Sequence, residues 1–361
     1  MQWLVLILLA PYLYLLLKIY FRLVKIKPFR PDSQSNLFVS VIVACRNEEK
    51  NLPLLLSDIA AQDYNPCLFE LIIIDDNSDD STYKYASEFS GINELKVLRN
   101  KGSGKKSAIK TGVESCRGKL IVTTDADCRL SRSWMKTVSA FWSQGNPGMV
   151  IGPVMLQGEN EFLQKFQELE FLSLQGITAG TAAAGNPVMC NGANLAFSRQ
   201  SYLSHSENLH PEKVSGDDIF LLQSMKKENA EQIMWLESFD SIAVTPPCTG
   251  WKSFFRQRAR WISKSGAYSD PYARLLAIVT FVTILIFPGL LIAGIFDQTH
   301  LIVLAGALLL KSIPDYLILS NVTMRYGKKD LMKWFLPSQV FYPFYVLRIV
   351  AGAVIRGNRW N

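Results

Sequence analysis

Apolar residues run without a charge from Trp3 to Leu17 and continue to about Val24, with Lys18 and Arg22 placed where long stems can snorkel. That is close to the roughly 20 residues a bilayer-spanning helix needs. The basic charges follow the run, the reverse of a cleaved signal peptide. A helix lying in the membrane interface is the alternative. Lys27 to Asn36 is a polar linker containing proline. The period then changes. Phe38 to Ala44 is a β-branched run of the buried-strand type, and a helical stretch follows from about Glu48 to Gln62. The strand Phe69 to Ile74 stops at Asp75-Asp76-Asn77-Ser78. A helix near Ser81 to Phe89, a short strand at Leu95 to Leu98, a helix near Lys105 to Ser115 and the strand Lys119 to Thr124 complete the alternation. It ends on Asp125-Ala126-Asp127.

Strands alternating with helices predict an α/β domain with a mainly parallel sheet and right-handed crossovers. Ligands of such sheets bind beyond the carboxyl ends of the strands, where both acidic clusters fall. Further along, Glu159 to Gly185 reads as helix and then as a small-residue loop, Asn191 to Phe197 as a strand, and a helix begins near Asp218. Trp251 to Lys264 is an amphipathic basic helix. Three apolar segments follow, about Ala273 to Phe296, Leu301 to Leu319 and Leu331 to Ile355. Lys311, Pro314 and Asp315 interrupt the second, Pro337 and Pro343 the third. Such residues are tolerated where neighbouring helices or a cavity satisfy them. Lys311 and Asp315 motivate a transporter reading, or they pair structurally.

Hydrophobic residues make up 49% of the 361-residue chain, segregated to its two ends, and the net charge is +7. Basic residues border the apolar segments: Lys18, Arg22, Lys25, Lys27 and Arg30, then Arg256, Arg258, Arg260, Lys264 and Arg274. Such clusters mark the cytoplasmic side and meet anionic headgroups. No basic stripe interleaved with aromatics appears in the polar middle, so nucleic-acid binding is not expected. The six cysteines are dispersed without CxxC spacing, which fits reduced thiols. His205, His210 and His300 are too scattered for a histidine metal site.

Asp75-Asp76 at a strand end is either a turn with a helix cap or a pair of carboxylates accepting hydrogen bonds from a nucleobase or sugar. Asp80 and Ala86 stand where a calcium loop needs Gly and Glu, so an EF-hand is rejected. Asp125 and Asp127 present oxygens suited to Mg²⁺ or Mn²⁺ beside a departing diphosphate, or form a solvated acidic turn. Lys101 to Ser107 fails the P-loop pattern at Arg99 and Lys106, yet a glycine-containing basic turn before a helix can touch phosphate. Asp217-Asp218 opens a helix, as an acidic cap or as a base taking a proton from an acceptor hydroxyl. Gln257, Arg260 and Trp261 share one helix face, as an interfacial anchor or as an amide, guanidinium and aromatic platform.

In this order these motifs resemble the family 2 glycosyltransferases of GT-A fold, and within them the membrane branch of cellulose, chitin and hyaluronan synthases and ceramide glucosyltransferase. The resemblance covers about Val39 to Lys264 and rests on Arg46-Asn47-Glu48-Glu49, Asp75-Asp76-x-Ser78, Gly104-Lys105 with Gly112, Asp125-x-Asp127, Asp217-Asp218 and Gln257-x-x-Arg260-Trp261. It implies a GT-A (Rossmann-like) domain over residues 37–250, an amino-terminal membrane helix over 1–26, an interfacial helix over 251–268 and about three membrane helices over 271–356.

The resemblance further implies that Asp76, with Asp75, Glu48 and Lys105, binds a nucleotide-sugar donor, Asp76 contacting the uridine of a UDP-sugar. Asp125 and Asp127 would hold nucleotide and metal, Asp218 or its neighbour Asp217 would be the base, and Gln257, Arg260 and Trp261 would meet acceptor and pyrophosphate. The implied reaction is inverting transfer on the cytoplasmic face of a multi-pass membrane protein, to a lipid, a lipid-linked acceptor or a growing glycan. Processive polysaccharide synthesis and an inactive membrane scaffold are the competing expectations. Ala44, Asn77, Lys110 and Asp217 depart from the pattern, where Pro, Gly, Asn and Glu are usual.

Overall fold

The computed structural model describes residues 2–32, 35–206, 216–263 and 265–356. His210, Lys264 and Arg359 lie outside the described residues. After helix α1 (Gln2–Leu23) come β1 (Val39–Cys45), α2 (Leu52–Ala60), β2 (Phe69–Asp75), α3 (Thr82–Glu88), β3 (Leu95–Arg99), α4 (Lys105–Ser115) and β4 (Leu120–Asp125). Then follow β5 (Arg129–Leu130), α5 (Trp134–Gly145), β6 (Met149–Ile151), β7 (Val154–Leu156), α6 (Phe162–Ala182), β8 (Leu195–Ser198), α7 (Arg199–His205), α8 (Asp217–Asn229), β9 (Ile233–Trp235) and β10 (Ala243–Thr245). Helices α9 (Trp251–Ser263), α10 (Pro271–Phe296), α11 (Thr299–Arg325) and α12 (Phe335–Arg356) follow.

The chain divides into two compact units. The first, Ile26–Gln157 with Gly185–Pro246, holds a seven-stranded sheet of order β3-β2-β1-β4-β8-β6-β9. Strands β3, β2, β1 and β4 are parallel, and β8 runs against both of its neighbours. A second, three-stranded sheet has the order β5-β10-β7. The core follows from composition. Val41, Ile42, Val43, Leu71, Ile72 and Ile73 are wholly buried, each worth about 2 kcal/mol on removal from water. Helix α4 covers this face closely. A Cβ on Gly112 would stand 2.6 Å from Ile42 Cγ2 and 2.9 Å from Ile74 Cδ1.

The expected helix from Glu48 to Gln62 is shortened at its start to α2, because Asn47 adopts φ 56° and the next residues form a turn. The strand expected from Asn191 begins only at Leu195. Asn191 instead caps a 3₁₀ turn, its side chain accepting from the Ala193 N–H at 2.9 Å.

The second unit comprises Met1–Lys25, Gly158–Ala184 and Pro247–Asn361. Among the described residues, α1, α10 and α11 are the helices long and apolar enough to cross a membrane. Helix α12 is not among them. Residues 162–182, expected to end as a loop, are helical throughout as α6. Lys311 and Asp315 pair at 2.6 Å; Tyr12 donates to Asp315 at 2.6 Å, and Lys311 donates to Gln339 at 2.7 Å. These partners satisfy the two charges within the bundle, which removes the observation behind a transporter reading.

Candidate active site

The parallel register decides where the acids go. Ala44 on β1 is level with Asp125 on β4, and Cys45 is level with Asp75 on β2, so both clusters emerge at one carboxyl edge of the sheet. Asp75 is fully buried and its Oδ2 accepts the Ser78 N–H at 3.3 Å. Asp76 organises the basic turn. Its two oxygens accept the Gly104 N–H, each at 2.9 Å, and its Oδ1 also accepts Asn100 Nδ2 at 2.6 Å. Neither acid caps a helix, since α3 is capped by Ser81. Gly104 takes φ 85° at the cap of α4, a conformation glycine adopts without strain, and it starts the helix at Lys105.

Lys105 Nζ is ion-paired with Asp125 Oδ1. Burial alone would lower its pKa, but Asp125, Asp217 and Asp218 outweigh burial and hold it above the ordinary lysine value. From the other side, the Gly192 N–H donates to Asp218 Oδ2 at 3.1 Å, and the Gly192 carbonyl accepts Thr123 Oγ1 at 2.8 Å. A Cβ on Gly192 would lie 3.6 Å from Lys105 Nζ and 3.8 Å from Asp218 Oδ2. Lys105, Gly192, Asp217 and Asp218 line a common cavity with Thr123 and Tyr202. The cap of α8 is Gly216, not an aspartate. Asp217 and Asp218 occupy the first turn, where the helix dipole favours carboxylates.

Asp127 accepts Thr245 Oγ1 at 3.1 Å. Its pKa is raised by burial and then by repulsion from Asp125. Glu48 is raised by burial, with Asp127 and Asp125 adding to the effect and a bond from Asn51 opposing it. The Cys45 thiol is pushed up to about 12 by burial and by Asp75 and Glu48. Oxygen donors crowded under mutual repulsion fit a hard divalent cation. Among the described residues no three His, Cys, Asp or Glu side chains assemble into a cage. Asp125 and Asp127 could serve as a two-carboxylate donor set of the kind that Mg²⁺ or Mn²⁺ completes with substrate phosphates and water.

Gln257, Arg260 and Trp261 belong to the second unit. Gln257 Oε1 accepts Arg258 Nη1 at 2.7 Å, and the Arg258 guanidinium lies 4.0 Å from the Trp261 ring centre. Arg258 is buried and bonded by Glu170 at 2.6 and 2.9 Å. Arg260 is exposed. Gln257 and Trp261 thus gather on Arg258 rather than on Arg260.

Two departures from the expected pattern resolve locally. Asn77, standing where Gly is usual, has φ 56°, a region Asn tolerates better than other residues with a Cβ. Lys110 faces outward, 3.9 Å from Glu114. Sequence reasoning missed Gly192, Thr123 and Thr245. The Asn191-Gly192 pair is a turn signal that could have marked the first; the two threonines carry none.

Residues 40–205 match the family model described as Glycosyl transferase family 2. Curated relatives agree over shorter stretches. Glycosyltransferase AglE of Haloferax volcanii is 31% identical over 101 residues, covering 27% of this chain and 33% of that protein. An undecaprenyl-phosphate 4-deoxy-4-formamido-L-arabinose transferase of Aeromonas hydrophila is 39% identical over 93 residues, 25% of this chain and 28% of the relative. A dolichyl-phosphate beta-glucosyltransferase of Mus musculus is 36% identical over 101 residues, 25% of this chain and 31% of the relative. The matches span about a third of these relatives or less. Among solved structures, the mannosyltransferase PcManGT from Pyrobaculum calidifontis, in complex with GDP-Man and Mn²⁺, aligns over 98% of both chains with TM-score 0.61 and 19% identity. That likeness is one of fold: the α/β unit has the GT-A architecture, with apolar helices flanking it.

Proposed function

We propose that this protein is a membrane-bound, metal-dependent glycosyltransferase that moves a sugar from a nucleotide-sugar donor to a lipid-phosphate or other lipid-linked acceptor at the cytoplasmic face. The observation that carries the reading is the meeting of Asp125, Lys105, Gly192 and Asp218 at one carboxyl edge of the sheet. The match of residues 40–205 and the names of the lipid-phosphate sugar transferases among the relatives support it. Those relatives also favour single transfer over processive synthesis.

In this reading the Asp75-Asp76 edge and Glu48 receive the nucleoside, and Lys105 meets the diphosphate. Asp125 and Asp127 hold Mg²⁺ or Mn²⁺, which when bound would neutralise charge on the departing diphosphate. Asp218, oriented by the Gly192 N–H, takes the proton where the acceptor nucleophile is a hydroxyl; Asp217 shares its cavity and is the alternative base. Attack opposite the leaving group inverts the anomeric centre. Gln257, Arg260 and Trp261 are the residues we assign to the acceptor and pyrophosphate. Positioning and fixed charge supply most of the rate. Uridine diphosphate is the nucleotide we assign first, with guanosine diphosphate as the competing choice.

The test is nucleotide release and sugar transfer by the detergent-purified chain, offered UDP- and GDP-sugars and a polyprenyl phosphate, with Mn²⁺ or with EDTA. We expect one donor to be consumed only with metal, and the Asp127→Ala variant to lose activity by at least about a hundredfold. No release from any donor, with acceptor present, would move the inactive-scaffold reading to the front.

A further inference from the structure

The carboxylate assigned above to a metal already has a cation, and it comes from the chain itself. Lys105 Nζ pairs with Asp125 Oδ1. On its other side stands Gly192, where an added Cβ would lie 3.6 Å from the ammonium and 3.8 Å from Asp218 Oδ2. One ammonium is therefore paired with the proposed metal carboxylate and lies beside the residue that orients the proposed base. The root of the side chain is fixed, because Asp76 grips the Gly104 N–H through both oxygens immediately before it. The side chain itself is 37% exposed on a flexible four-carbon stem, whereas the helix start is held.

We propose that Lys105 is a built-in placeholder cation. It competes with the divalent metal for Asp125 and is drawn away by the diphosphate of the incoming donor, so that metal and nucleotide bind together rather than singly. The inference rests on the reading of Asp125 and Asp127 as metal carboxylates. A divalent ion at Asp125 faces a resident positive charge on the same oxygen, and like charges so close repel. A diphosphate offers that ammonium a better partner, and a lysine suits it as a point charge. Each ligand then removes an obstacle to the other, and the coupling must be equal in both directions.

The experiment is an Mn²⁺ titration of the full chain in detergent, following the electron paramagnetic resonance signal of the free ion, with and without UDP or GDP. Wild-type protein is expected to bind Mn²⁺ at least about tenfold more tightly when the nucleotide is present. Lys105→Met should bind Mn²⁺ alone about tenfold more tightly than wild type, with the nucleotide adding little. Lys105→Arg, which keeps the charge, should restore the wild-type pattern. Lys110→Met removes an exposed cation from the same helix and should change nothing. Calorimetry of UDP with and without Mn²⁺ gives the reciprocal factor, and Lys105→Gln replaces the methionine variant should that fail to fold. Unchanged Mn²⁺ affinity and coupling in Lys105→Met, with Asp127→Ala still abolishing the binding, overturns the placeholder alone. Mn²⁺ binding that Asp127→Ala leaves intact overturns the metal reading itself.

Discussion

Glu70 is a carboxylate with no exposed surface in the middle of a parallel sheet, and its partners explain why it is tolerated. Lys96 Nζ donates to it at 2.7 Å, Ser40 Oγ at 2.7 Å and the Arg117 N–H at 2.6 Å. Burial by itself would raise its pKa; these donors outweigh burial and hold it below the ordinary glutamate value. A carboxylate lowered in the fold gives stability that is full above the unfolded-state pKa and is lost as pH falls through the folded one. We expect Glu70→Gln to lower stability on the order of 2 kcal/mol near neutrality. We also expect it to flatten the loss of stability on acidification from about pH 5 to pH 3. Thermal unfolding of both proteins at the two pH values checks this, and equal slopes would refute it. The sequence showed the residue but not the role, since Glu70 interrupts an apolar run without any partner nearby in the chain. The same holds at the site. Asp125, Asp127 and Asp218 were legible because acids at strand ends stand out, whereas Gly192 holds Asp218 across 26 positions and Thr245 holds Asp127 across 118. No local pattern encodes pairings of that span.

At the scale of elements, legibility followed length. β1 to β4 were readable because each runs to five or more residues, and β1, β2 and β4 are rich in β-branched side chains. β5, β6, β7, β9 and β10 have two or three, too few to show a period. Helix α6 misled for a different reason. Its glycines and alanines looked like a loop, but they are small because neighbouring helices approach. A Cβ on Gly180 would meet Ile19 Cγ2 at 2.6 Å and the Ile19 carbonyl oxygen at 2.7 Å, and one on Gly176 would meet Ile318 Cγ2 at 2.6 Å. Small residues four apart let helix backbones close on one another. Gly180→Val should therefore push α6 off α1 and cost about 1–3 kcal/mol. Gly289→Ala in α10, where nothing lies within 4 Å, serves as the control and should be neutral or slightly stabilising. Melting temperatures in detergent decide between them; a Gly180→Val protein as stable as wild type would mean that the close approach is dispensable.

For the whole molecule, charge and helix direction together set an orientation that hydropathy alone left open. The Arg325 side chain donates to the Leu23 carbonyl at 3.0 Å, so the carboxyl ends of α1 and α11 lie together. The short Asp297-Gln298 connection returns α10 antiparallel to α11, which brings the start of α10 to the same end. Arg22, Lys25, Arg274, Arg325, Lys328, Lys329 and Lys333 lie at or just beyond those helix ends, whereas the start of α1 and the Phe296–His300 connection between α10 and α11 have no lysine or arginine. The positive-inside rule predicts that the basic end faces the cytoplasm. Lys25 is the last residue of the second unit before the chain enters the α/β unit at Ile26. The prediction is tested with single cysteines, Gln298→Cys and Lys329→Cys, in a background where exposed Cys67 is replaced by serine. A membrane-impermeant maleimide applied to intact cells should label the first, and the second only after the membrane is opened. The reverse pattern would overturn the orientation and, with it, the proposed cytoplasmic setting of the chemistry.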